Sequence, residues 1–391
     1  MDREPTDELA ASGIPGLDDI LCGGLPRGRM YLVEGEPGCG KTTLAMQFLL
    51  AGVAAGERCL YIALSETKQE LQQIARSHGW DISRLEVHEL SGAEQSAHAD
   101  DHNTLFDPGE VDLRETTSQL LEHIDRVHPT RVVFDSMAEL RLLAQQPLRY
   151  RRQILALKDY FAGRGCTVYL LDDTRIDRHD LQLQTLAHGV ISLQHLVPEY
   201  GGDRRRMYIS KLRGVQYRGG HHDFVIRRGG LVVFPRLVAA EHHADYARET
   251  FSSGNAQLDD LVGGGFDRGT STLMLGPAGS GKSSIASSCV AAAAERGEHP
   301  AVFLFEESRA TYLARADALG QRLGEHARRD HAFVRQIDPA ELSPGEFGAS
   351  VRAHVETHGT RVVVIDSLNG FLTAMPEERF LLIQMHELLT Y

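Results

Sequence analysis

Two stretches of this chain carry residues whose types and spacing suit phosphate chemistry. One reads Gly35-Glu36-Pro37-Gly38-Cys39-Gly40-Lys41-Thr42-Thr43, the other Gly276-Pro277-Ala278-Gly279-Ser280-Gly281-Lys282-Ser283-Ser284. Both fit G-x-x-x-x-G-K-[ST], the P-loop. Its glycines turn backbone N–H groups toward a polyphosphate, Lys41 and Lys282 reach the β- and γ-phosphates, and the hydroxyls of Thr42 and Ser283 ligate magnesium. Asp135 and Asp366 each close an apolar run and are followed by serine. A carboxylate at such a strand end holds the same magnesium ion. The candidate bases are Glu306 and Glu307 in the second half and Glu66, preceded by Ser65, in the first. Carboxylates near a γ-phosphate can polarise water or a hydroxyl, whereas serine cannot do so unaided. The two halves are therefore expected to differ in chemistry. The competing reading of these acids is a solvated helix start favoured by the helix dipole.

Each loop needs a strand before it and a helix after it, and the sequence supplies both. Apolar residues 30–33 precede the first loop and a helical pattern over 44–54 follows. Strands are predicted over 58–64, 131–134, 167–171, 190–195, 206–212 and 224–234, with helices over 66–78 and 148–161. Early strands alternate with helices and later ones follow closely, which predicts a mostly parallel α/β sheet with an antiparallel extension. Residues 91–111 are read as a loop and 239–249 as a linker.

Lys41 and Lys282 are 241 positions apart, and the same offset superposes Ser12-Gly13 on Ser253-Gly254, Asp18-Asp19 on Asp259-Asp260, and Gly23-Gly24 on Gly264-Gly265. Repetition on this scale means two homologous nucleotide-binding domains in tandem, 1–240 and 241–391. The second half repeats strand 271–275, helix 284–294, strands 301–305 and 361–365, and a helix over 378–391. Asp135 and Asp366 are 231 apart, so Tyr391 answers to Tyr160 and the second half has no counterpart of 161–240. The second domain is read as truncated.

A chain of 391 residues with 42% hydrophobic and 24% charged residues is globular and suits two or three domains. A net charge of −13 argues against a general nucleic-acid surface. Five scattered cysteines without a C-x-x-C pair give neither a disulfide framework nor a zinc site, so a reducing cytoplasm is expected. No apolar run reaches membrane-span length. The pairs His221-His222 and His242-His243 lack supporting Cys or carboxylate clusters and read as solvated residues.

The S-G-x-x-x-L-D-D openings, the P-loops, Phe305-Glu306-Glu307-Ser308, the Asp-Ser pairs and Lys211-Leu212-Arg213-Gly214 together resemble the KaiC-type clock ATPases of the RecA superfamily. The resemblance covers nearly the whole chain, including its tandem arrangement. It implies two RecA-like domains stacked as two rings of a homohexamer, with ATP bound between subunits and a role in timekeeping or signalling. It gives Lys211 and Arg213 a role that spacing does not: a pair reaching the γ-phosphate bound by a neighbouring subunit. It further implies clock or signalling partner proteins and Ser/Thr autophosphorylation of the second domain, in a region that would follow Tyr391. Ser65 stands where the family carries a first glutamate, so hydrolysis in that half rests on Glu66 or is slow.

Two rival functions belong to other classes. One is a DNA-dependent recombination or repair ATPase, for which Arg149-Tyr150-Arg151-Arg152 is the only candidate strand-binding segment; Arg204-Arg205-Arg206 reads as solvated surface. The other is a nucleotide-gated scaffold whose first ring binds ATP without hydrolysing it.

Overall fold

The computed structural model describes residues 9–89, 108–173, 182–199, 201–242, 249–373 and 380–391. The chain divides into two compact units, Met1–Val197 with Asp203–Pro235, and Pro198–Gly202 with Arg236–Tyr391.

The first unit opens with a short ribbon, β1 (Leu9–Ala10) paired with β2 (Leu25–Pro26), around helix α1 (Pro15–Ile20). Its main sheet holds β3 (Met30–Gly35), β4 (Cys59–Ala63), β5 (Glu86–Glu89), β6 (Arg131–Asp135), β7 (Thr167–Asp173), β8 (Gly189–Leu196), β9 (Arg204–Leu212), β10 (His222–Arg227) and β11 (Gly230–Phe234). The strands lie in the order β11-β10-β9-β8-β3-β7-β6-β4-β5. Pairs from β8 through β3, β7, β6 and β4 to β5 are parallel, and β8 to β11 continue antiparallel.

This is the α/β sheet with an antiparallel extension that the alternation of elements predicts. β3 is central because both its faces are apolar. Tyr31 and Val33 pack into one core and Met30 and Leu32 into the other, as a strand covered on both sides requires. Helix α2 (Lys41–Ala54) follows the P-loop, and helix α3 (Lys68–His78) starts on a reciprocal cap between Thr67 and Glu70.

Three of the segments read from the sequence differ in the structure. Residues 224–234 form two strands, because Gly229 and Gly230 adopt φ of 101° and 112° and turn the chain into a hairpin. A helix, Pro108–Val127, begins inside the predicted loop, whose residues 91–107 lie outside the described ones. Residues 271–275 form no strand, and Leu273 and Leu275 are exposed.

The cause is pairing. The second unit opens on a like ribbon, β12 (Thr250–Phe251) paired with β13 (Phe266–Asp267). In the first unit β3 is hydrogen-bonded between β7 and β8, whereas the parallel sheet of the second unit, β14 (Ala301–Leu304) between β15 (Phe333–Gln336) and β16 (Val363–Asp366), contains only counterparts of β4, β5 and β6. Among the described residues, 271–275 have no strand to join.

The repeat nevertheless recurs in individual bonds. Ser12 N–H donates to Asp18 Oδ1 at 2.7 Å and Ser253 N–H to Asp259 Oδ1 at 2.9 Å. Arg27 pairs with Glu57 at 2.9 Å and Arg268 with Glu298 at 2.5 Å. Leu64 N–H bonds to Asp135 O and Phe305 N–H to Asp366 O.

Candidate phosphate-binding sites

In the first unit the P-loop leaves β3 and enters α2 through Gly38 and Gly40, whose φ values of 78° and 108° are left-handed. Any side chain at Gly40 would also meet the hairpin, since a Cβ there lies 2.8 Å from Ile226 Cδ1. Lys41 is buried, and its ammonium donates to Gly35 O at 2.9 Å and Glu36 O at 3.0 Å. It also pairs with Asp173 Oδ1 at 2.8 Å. The register explains this contact, because Asp173 ends β7 directly beside Gly35 of β3.

The ends of two more strands converge on Thr42. Its hydroxyl lies 2.9 Å from Asp135 Oδ2 at the end of β6 and 3.4 Å from Glu66 Oε1 just after β4. Tyr61, fully buried on β4, donates its phenol proton to the same Asp135 oxygen. Burial, then the charges of Asp135 and Glu66, push the Tyr61 phenol well up, so it remains a donor. Burial likewise raises Asp135 against the hydrogen bonds from Tyr61 and Thr42 and the charge of Lys41. Glu66 is pushed up to about 7 by burial first, then by the charges of Asp135 and Glu70. A carboxyl near 7 is matched to proton transfer in neutral solution.

The donor set suits magnesium. A hydroxyl and carboxylates are hard oxygen ligands, and Mg²⁺ typically takes one or two carboxylates and leaves its other positions to water and substrate phosphates. Glu66 Oε2 is buried without a hydrogen-bond partner, an acceptor available to a ligand. Among the described residues no three His, Cys, Asp or Glu side chains form an all-protein metal cage, which this mode of binding does not require.

The second loop repeats the local geometry but not the convergence. Gly279 and Gly281 have φ of 78° and 91°, and Lys282 donates to Gly276 O at 2.8 Å and Pro277 O at 3.0 Å. Among the described residues no hydrogen bond joins Ser283, Asp366, Glu306 and Glu307. Glu306 is exposed, and Glu307 pairs with Arg315 at 2.5 Å, where the first unit has Ile74 at the equivalent position. Asp366 Oδ2 is buried without a partner.

The family model described as KaiC, an ATPase, matches residues 10–238, well over half of the chain. The chain belongs to the KaiC ATPase family. A second model, described as an AAA domain, matches residues 241–379. The circadian clock oscillator protein KaiC of Synechococcus elongatus is 28% identical over 376 residues, covering 94% of this chain and 71% of that protein. The circadian clock protein KaiC2 of a Synechocystis strain is 27% identical over 373 residues, covering 93% and 64%.

Within this KaiC-family chain, Lys211 and Arg213 lie away from their own P-loop. Lys211 is in register with Val190, which is in register with Leu32. Arg213 N–H bonds to His188 O, and His188 N–H to Met30 O, at the start of β3. The P-loop leaves the other end of β3, about 16 Å away at about 3.3 Å per residue. Lys211 Nζ donates to Gln184 O at 2.6 Å and Arg213 to Thr185 O at 3.1 Å. Burial, then the charges of Arg213 and Lys158, lower the Lys211 ammonium.

Of the residues near the first loop, sequence reasoning missed Tyr61 and Asp173. The only signals were a tyrosine inside an apolar strand and a second pair of acids, Asp172-Asp173, closing the run that forms β7. Arg149, Tyr150, Arg151 and Arg152 lie on the helix Pro147–Ala162, whose Tyr150 is buried in the core. His222 is buried against Arg218 O, and His243 lies outside the described residues. No described helix is long and apolar enough to cross a membrane.

Proposed function

We propose that the chain binds ATP at both P-loops and hydrolyses it at the first, with Lys211 and Arg213 serving the site of a neighbouring copy in a homo-oligomeric ring. The observation carrying this reading is the convergence of Thr42, Asp135 and Glu66 beside Lys41. Gly35, Gly38 and Gly40 shape the backbone cradle, Lys41 neutralises the β- and γ-phosphates, and Thr42 with Asp135 holds magnesium. The ion supplies charge neutralisation at the γ-phosphate. Glu66 takes a proton from the attacking water as its oxygen bonds to phosphorus and the bond to the ADP oxygen breaks.

Distance within one chain supports the trans role of Lys211 and Arg213: Lys211 lies level with Leu32, about 10 Å along β3 from Gly35, and Arg213 level with the start of β3, about 16 Å from it. A delocalised cation there stabilises transition-state charge. In the second domain, 241–391, the same roles fall to Gly276, Gly279, Gly281, Lys282, Ser283, Ser284 and Asp366, with Glu306 and Glu307 as the acids. A timing output is the finer part of the proposal, motivated by the names of the relatives; a signalling output and Ser/Thr autophosphorylation rest on the family resemblance of the sequence alone.

Nucleotide stoichiometry on the full chain tests the reading. Two ATP should bind per chain, and Lys41→Ala and Lys282→Ala should each remove one. Undiminished binding in both variants would contradict it.

A further inference from the structure

The two Asp-bearing strand ends differ in one buried group. Ala63 is in register with Asp135, and Leu304 with Asp366, so β4 and β14 present equivalent positions to the two carboxylates. Two residues earlier stand Tyr61 and Val302. The Tyr61 hydroxyl donates to Asp135 Oδ2, and Thr42 Oγ1 approaches that same oxygen, so neither bond occupies Oδ1. With Val302 in that place, Asp366 receives no such donor and its Oδ2 is buried unpartnered. Tyr61 is otherwise enclosed in the apolar core with Tyr31, Tyr169 and Val133.

We infer that Tyr61 is a positioning residue for metal-assisted nucleotide binding at the first site, fixing the Asp135 carboxylate through its buried hydroxyl so that one oxygen faces the ion. This rests on the magnesium–ATP reading of that site. The phenol touches neither nucleotide nor phosphate; it acts through Asp135. A donor that orients a ligating carboxylate is the kind of outer partner whose loss costs metal affinity without altering the ligands themselves. When Thr42 turns its hydroxyl toward a ligand, Tyr61 remains to hold the carboxylate. The second site, with Val302, relies on Asp366 alone.

The test uses the full chain carrying Lys282→Ala, so that only the first loop binds, and a fluorescent ATP analogue titrated with Mg²⁺ and, separately, in EDTA. Tyr61→Phe keeps the ring and removes only the hydroxyl. It should raise the half-saturating Mg²⁺ about tenfold and leave affinity in EDTA unchanged. Because the effect runs through Asp135, adding Tyr61→Phe to Asp135→Asn should weaken the Mg²⁺ response no further. Three results would overturn the inference: a Tyr61→Phe titration matching the parent, a further loss in the double variant, or equal weakening with Mg²⁺ and EDTA. Absence of any Mg²⁺-dependent binding in the parent would overturn the ATP reading as well, which separates the two failures.

Discussion

At the residue scale, Asp173 is the side chain that most changes the picture of the first P-loop. Its carboxylate already compensates Lys41, so a phosphate must compete with it for the ammonium, while among the described residues Lys282 has no carboxylate partner. Asp173→Asn is expected to tighten ATP binding at the first site about fivefold, on the order of 1 kcal/mol for a partly exposed pair. Isothermal titration of the Lys282→Ala chain with and without the change measures this directly, and weaker binding would show that Asp173 assists the nucleotide instead. Gly35, Gly38, Gly40, Lys41 and Thr42 are legible in sequence because the loop's chemistry is local. Tyr61 and Asp173 are not, because strand order brings them in from β4 and β7.

At the element scale, helix α2 is held by the last hairpin of the chain's first unit. Gln47 Oε1 accepts from Leu231 N–H at 2.7 Å, and Ile226 closes on Gly40, so the hairpin of β10 and β11 backs the loop. Gly40→Ala forces a left-handed residue against that hairpin, a strain of about 1–3 kcal/mol. It should lower the Tm by several degrees and abolish nucleotide binding at the first site, read by thermal unfolding with and without ATP.

Beneath α2 lies the buried Arg131, which pairs with Glu57 at 2.8 Å and donates to Phe48 O and Ala11 O. Although burial opposes it, Arg27 and Arg131 hold Glu57 down to about 2 against an ordinary 4.5. A depressed carboxylate stabilises the fold above its unfolded value and loses that contribution as pH falls toward its folded value. The Tm should therefore decline between about pH 4.5 and 2, and Glu57→Gln should flatten that decline in calorimetry. Apolar patterning marks 271–275 as a strand because it reports burial tendency alone; pairing with β7 and β8, which makes β3 a strand, is not written in the segment.

At the scale of the whole molecule, the duplication is legible from glycines, aspartates and P-loops, and the structure repeats it down to the Ser12–Asp18 and Ser253–Asp259 bonds. The divergence between halves is only half legible. Ser65 against Glu306 announces it, but Arg315 neutralising Glu307 and Val302 replacing Tyr61 emerge once strands are aligned in space. If Lys211 and Arg213 complete a neighbour's site, ATP should promote assembly. Light scattering should then show a nucleotide-dependent rise to a ring mass, and an unchanged monomer would remove the trans role.

Steady-state phosphate release from the full Lys282→Ala chain reads hydrolysis at the first P-loop, and the role of Glu66 as its base, with no contribution from the second. ATP- and Mg²⁺-dependent turnover is expected, lowered about 10²–10⁴-fold by Glu66→Gln and removed by Lys41→Ala. Turnover that survives both substitutions would contradict both assignments.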